Sequence, residues 1–155
     1  MQFYLEMREE RRPAISVLYM RRVGAYGEQN AVLMERFKGW LREQHLYQDD
    51  TVILAVPLDN PNVTAAENCR YDVCIPDTAD RRVDSDEIHS RLLAGGRYVT
   101  FLLEHTAQAV QKAWEGCFLE VAQQGYSLDS ARPVVERYAK ALVDQHRCEL
   151  CVPVL

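Results

Sequence analysis

Glu149 stands inside an otherwise apolar run, Cys148-Glu149-Leu150-Cys151-Val152-Pro153-Val154. Alternation along a strand puts Leu150 and Val152 on one face and Glu149 and Cys151 on the other. If the first pair meets helices, Glu149 faces the opposite side of the sheet, where a groove would lie. A carboxylate on a largely apolar floor is either raised in pKa by desolvation or stays charged and attracts a cation. The competing reading is a wet groove, or pairing with Arg147 or another basic neighbour, because Glu is seldom buried alone. Asp72, in Arg70-Tyr71-Asp72-Val73-Cys74-Ile75-Pro76, carries the same logic earlier in the chain. Glu136 and Tyr138 are two apart and share a strand face, so they converge with Glu149 if that face is also the groove. Otherwise their strand alternates in solvent. Trp114, Tyr26 and Tyr71 are the aromatics nearest the expected cleft walls. Trp114 lies in the middle of a helical apolar stripe, where a core role is the simpler account.

Other chemistries find less support. In a strand, Cys148 and Cys151 point to opposite faces, so they cannot hold one metal ion together, and a redox CxxC opens a helix instead. The five cysteines, in a chain whose N-terminus has no apolar export segment, read as reduced thiols acting as small buried hydrophobes, which implies a cytoplasmic protein. Gly95-Gly96 is no phosphate loop, and neither GxGxxG, GxxxxGK[ST] nor GxSxG occurs. His45, His89, His105 and His146 are scattered without HExxH spacing. No metal and no cofactor are expected.

These side chains need elements to hold them. Phe3, Leu5 and Met7 alternate with Tyr4 and Glu6 until Arg11, Arg12 and Pro13 interrupt. A strand is expected over 14–22, and a helix over 28–45 with Leu33, Phe37, Trp40 and Leu41 on one stripe. Strands follow at 51–57 and 69–76, with the turn Asp59-Asn60-Pro61-Asn62 between them. Residues 77–90 are polar and read as a solvated connection. A strand at 97–104 precedes a second helix, carrying Val110, Ala113, Trp114, Cys117, Phe118 and Val121 and stopping near Gly125. Strands at 133–138 and 147–154 complete the chain.

The order strand, helix, strand, strand occurs twice. Arg70 to Pro76 lies 77 positions before Arg147 to Pro153, with three of seven positions identical and three conservative. At the same offset Phe37, Gly39 and Leu41 fall on Trp114, Gly116 and Phe118. The 155 residues therefore read as one α+β domain of two pseudo-symmetric repeats, about 1–78 and 79–155. The expected architecture is one antiparallel sheet with two helices on one face and a ligand groove on the other. Eighteen basic against 23 acidic residues leave a formal charge of −5, which argues against direct nucleic-acid binding. No stretch reaches the ~18 apolar residues of a membrane span.

The Val23-Gly24-Ala25-Tyr26 turn, the Asp59-Asn60-Pro61 turn, Arg70-Tyr71-Asp72 and Gly95-Gly96 form an ordered series. Trp114, Glu136-x-Tyr138 and the Glu149 strand continue it, and together they resemble the GyrI-like (gyrase-inhibitor-like) small-molecule-binding family. Ala25 stands where that family usually has proline. The resemblance implies the effector-binding fold of AraC-type and multidrug-sensing regulators, with a groove for lipophilic, often cationic, compounds and an acidic residue, here Glu149, at its centre. It implies ligand contacts from Glu149, Glu136, Tyr138, Trp114, Tyr26, Tyr71 and Asp72. A stand-alone cytoplasmic binder is expected, as no helix-turn-helix segment is recognised. Two further readings follow from the resemblance. One is inhibition of DNA gyrase by protein contact, for which the acidic surface would serve. The other is hydrolysis of a small electrophile, with Glu149 as general acid/base and Tyr138 steadying charge.

Overall fold

The computed structural model describes residues 2–79, 81, 83 and 85–155. Its elements are β1 (Glu6–Arg12), β2 (Ile15–Val23), α1 (Glu28–Glu43), β3 (Val52–Pro57), β4 (Arg70–Pro76), β5 (Ile88–Leu93), β6 (Gly96–Glu104), α2 (Ala107–Gln123), β7 (Val135–Ala139), α3 (Lys140–Val143) and β8 (Arg147–Val154), with a 3-10 turn at Ala66–Asn68. The strands form one sheet of eight in the order β1-β6-β8-β7-β3-β4-β2-β5, antiparallel at every pairing. Among the described residues no helix is long and apolar enough to cross a membrane.

The helices end by local chemistry. Thr106 caps α2, its hydroxyl oxygen accepting the Ala109 N–H at 3.0 Å. After α2, Gly125 takes φ +90°, and the N–H groups of Gly125 and Tyr126 donate to the carbonyls of Ala122 and Val121. That is a Schellman stop, which favours glycine at its left-handed position. His45 fills the matching place after α1 at φ 57°, with His45 and Leu46 donating to Arg42 and Leu41.

Two boundaries differ from the sequence expectation. β1 runs through Arg11 and Arg12 instead of being interrupted by them, because it is an outer strand whose charges face water and discourage further pairing. The expected connection over 77–90 contains the start of β5, another outer strand, whose His89 and Ser90 stay exposed. Asp80, Arg82 and Asp84 of that segment lie outside the described residues. Each repeat thus opens with an extra strand, and that strand crosses to the other half. β1 pairs with β6, and β5 pairs with β2.

This exchange bends the sheet. In a flat sheet β1 and β2 would be separated by six strand spacings, roughly 29 Å. Only Pro13 and Ala14 join them, a reach of about 11 Å. Ala94 and Gly95 make the reciprocal link from β5 to β6. The two crossings pack so closely that a Cβ on Gly95 would collide with backbone atoms of Arg12, Pro13 and Ala14. The sheet therefore curls away from its helices. Inside the curl Val17, Val56 and Cys74 of the first repeat meet Leu93, Tyr98, Val135 and Cys151 of the second.

The helix side carries two further cores, one per repeat. Leu33, Phe37 and Leu41 of α1 cover Met20, Ile53 and Val73. Ala113, Cys117 and Val121 of α2 cover Val99, Phe101 and Leu150. Both apolar stripes are wider than these cores. Val110, Trp114 and Phe118 form the edge of the α2 stripe and remain partly or well exposed. They turn toward the gap between the helices.

Candidate cleft between the helices

That gap is a cleft of about 1600 Å³, lying over the seam where β3 meets β7. It opens on the helix side of the sheet. The opposite face, where the sequence reading places the groove, is closed by the sheet's own curl. Glu136 stands at the centre of the cleft floor, register partner of Ala55 across the seam and of Leu150 in β8. Its side chain shares the helix-side face with Tyr138, as their two-residue spacing requires.

Three aromatic side chains hold the Glu136 carboxylate. Trp114 Nε1–H donates to Oε2 at 2.8 Å, and the Tyr71 hydroxyl donates to Oε1 at 3.4 Å. Tyr138 lies beside it and lines the same cleft. Burial raises the Glu136 pKa, while hydrogen bonds from Trp114, Tyr138 and Tyr71 oppose the rise. Burial and the adjacent carboxylate push both phenols upward, so Tyr71 and Tyr138 remain protonated donors. Among the described residues no lysine, arginine or histidine nitrogen comes within the 4.0 Å of an ion pair with Glu136. It is a desolvated carboxyl group whose hydrogen-bond partners are all neutral.

Tyr26 forms part of the wall at one end. Its ring meets Tyr71 edge-on with centroids 6.1 Å apart, and its hydroxyl donates to the Arg70 carbonyl at 2.6 Å. The adjacent rim is the Asp59-Asn60-Pro61 turn, secured where Asp59 accepts from the Arg70 backbone at 2.7 Å and from its guanidinium at 3.0 Å. At the other end His105 packs on Tyr138, with ring centroids 5.4 Å apart. Burial lowers the His105 pKa, and Lys38 and His146 lower it further. Met34 and Tyr47 complete the apolar lining.

Of the residues singled out in the sequence, Glu136, Tyr138, Trp114, Tyr71 and Tyr26 meet in the cleft. Glu149 and Asp72 do not. Both point to the other face of the sheet, where each is closed by two arginines. Glu149 is 3% exposed, with Arg137 Nη1 at 2.7 Å and Arg8 Nη1 at 2.6 Å. Asp72 is fully buried, taking Arg21 Nε at 2.6 Å and Arg91 Nη2 at 3.1 Å. The strand alternation of Glu149 was read correctly, but the open face was not. Cys148 and Cys151 likewise take opposite faces, one in the α2 core and one inside the curl. Burial pushes the Cys148 thiol up to about 12 and Cys151 up to about 11. Trp114 is a cleft residue at the edge of its stripe and a hydrogen-bond donor. Tyr47, His105 and Lys38 carried no periodic signal, because they reach the cleft from helix ends and from the helix face beside the stripe.

A curled antiparallel sheet with two helices flanking an aromatic cleft defines a small-molecule-binding domain. The chain belongs to the GyrI-like small molecule binding domain family, matching it over residues 5–155. It is 38% identical over 146 residues to YosT of Bacillus subtilis (strain 168), an SPbeta prophage-derived protein whose assigned role as a transcriptional regulator is itself provisional. That match covers 94% of this chain and 96% of YosT. The fold is shared with EcmrR in its DNA complex at TM-score 0.73 and 14% identity, covering 96% of this chain and 57% of the EcmrR chain. This chain thus spans little more than half of the EcmrR chain. SAV2435, solved bound to tetraphenylphosphonium, matches at TM-score 0.60 and 16% identity, covering 97% of this chain and 94% of that one.

Proposed function

We propose that the cleft binds lipophilic aromatic cations, with Glu136 as the counter-charge. The observation that carries this reading is a carboxyl group on an aromatic floor, held by neutral donors and paired with no cation among the described residues. A bound cation relieves the cost of keeping that charge away from water. The rings of Trp114, Tyr138, Tyr71 and Tyr26 supply apolar area and cation–π contacts to the same ligand. The lipophilic cation bound by SAV2435, a protein of the same fold, supports this ligand class. Glu136 takes the part that the resemblance gave to Glu149. Free, buried cysteines support a cytoplasmic setting. Inhibition of DNA gyrase would leave the cleft carboxylate without a role, so the small-molecule reading is preferred.

A thermal-shift titration with tetraphenylphosphonium tests the reading. A ligand at a hundredfold excess over Kd stabilises the native state by about 2.7 kcal/mol. The wild type should shift and Glu136→Gln should shift far less. Equal shifts in the two proteins would remove Glu136 from recognition.

A further inference from the structure

The cleft is pseudo-symmetric in backbone but not in charge. At the offset of 77 that places Phe37 on Trp114, Lys38 falls on Glu115. Both line the cleft. The helices pass the seam in opposite directions. Tyr26, just before α1, is anchored at the Asp59 end, whereas His105, just before α2, packs on Tyr138 at the other end. Lys38, in the second half of α1, therefore lies toward His105, and Glu115 lies toward the opposite end. One wall position repeated by duplication has become cationic at one end and anionic at the other.

Lys38 has the ammonium with the least engagement in the cleft. Its side chain is only 23% exposed, and among the described residues its one ion-pair contact is to Glu35 at 3.8 Å, a carboxylate that is 70% exposed. Such a contact is long and screened by water. Among the described residues Lys38 makes no hydrogen bond. The other ammonium of the cleft is occupied: Lys140 is held by Asp144 at 2.9 Å and Asp49 at 3.5 Å. Arg132 gives Nε to Asp129 at 2.8 Å and Nη2 to two backbone carbonyls, and its Nη1, though without a partner among the described residues, is buried.

We infer that Lys38 is a second recognition charge, and that the cleft orients amphoteric ligands: aromatic cations carrying a carboxylate or similar acidic group. The cation sits at Glu136, so the inference rests on the reading given above, and the acid is directed to Lys38. A plain lipophilic cation would still bind, without a fixed orientation.

The test is a matched pair of xanthylium dyes, rhodamine 19 with a free carboxylate and its ethyl ester rhodamine 6G, titrated by fluorescence anisotropy. Wild type should bind the acid about threefold or more tightly than the ester. Lys38→Met should weaken the acid alone and equalise the two, while Lys38→Arg should keep the preference. Circular-dichroism melting verifies that both variants fold. Equal binding of the dyes by wild type, or a preference that survives Lys38→Met, overturns the inference and leaves Glu136 untouched. Glu136→Gln should weaken both dyes alike. If it weakens neither, or if wild type binds neither dye, the cation site itself fails and the role of Lys38 with it.

Discussion

Ala55 and Glu136 are direct partners across the β3–β7 seam, both on the helix side of the sheet. The seam joins equivalent strands of the two repeats, so a carboxylate from one half faces a methyl group from the other. The cleft has a single charge at its centre although its frame is duplicated. Isothermal titration should accordingly give one lipophilic cation per chain. A stoichiometry of two would mean that the halves bind independently.

Cation affinity should depend on pH through Glu136. Burial raises its pKa in the free protein, and a bound cation favours the ionised form. Affinity should therefore be full above that raised pKa and fall as pH drops through it, with a midpoint above the ordinary glutamate range near ~4.3. Trp114→Phe removes a hydrogen bond that favours the carboxylate, so the midpoint should move higher still. Affinities measured between pH 4 and 8 check both, and Glu136→Gln should abolish the dependence.

Glu149→Gln should cost stability and spare binding. The substitution breaks a charge-assisted contact with Arg8 and Arg137 while both arginines retain access to water. A loss of ~1–3 kcal/mol in urea unfolding is expected. Because Glu149 faces away from the cleft, the Kd for a cation should be unchanged within twofold.

Gly95→Ala should destabilise more than its single methyl implies. The new Cβ meets three backbone atoms of the Arg12–Ala14 link at the crossing of β1–β2 with β5–β6, none of them in a flexible side chain. At least ~2 kcal/mol is expected, the upper part of the range for overpacking. A shallow cost would mean that the crossings separate easily.

Much of this architecture was legible because both signals it rests on are local. The α1 and α2 stripes and the alternation in β4 and β8 are written in residue spacing, and the duplication shows in Arg70 to Pro76 against Arg147 to Pro153. Alternation predicted correctly that Glu149 opposes Leu150 and that Glu136 sides with Tyr138. It carries no information on which face is open. That depends on β1 and β5 exchanging partners, a non-local event that curls the sheet and closes the face of Glu149 and Asp72. The charges of β1 hid how far its alternating run extends. An outer strand needs little apolar content, and its charges suit the edge. The place of Trp114 in the stripe favours a core role and the family resemblance a ligand contact; an indole at the edge of a stripe can pack with one side and donate with the other.

The most direct test sets the two glutamates against each other. Tetraphenylphosphonium should be titrated calorimetrically into wild type, Glu136→Gln and Glu149→Gln at pH 7.5. Removing the counter-charge should weaken binding about tenfold or more in Glu136→Gln, with wild-type affinity kept in Glu149→Gln. Wild-type affinity in Glu136→Gln together with loss in Glu149→Gln would contradict the account and return recognition to the far face of the sheet.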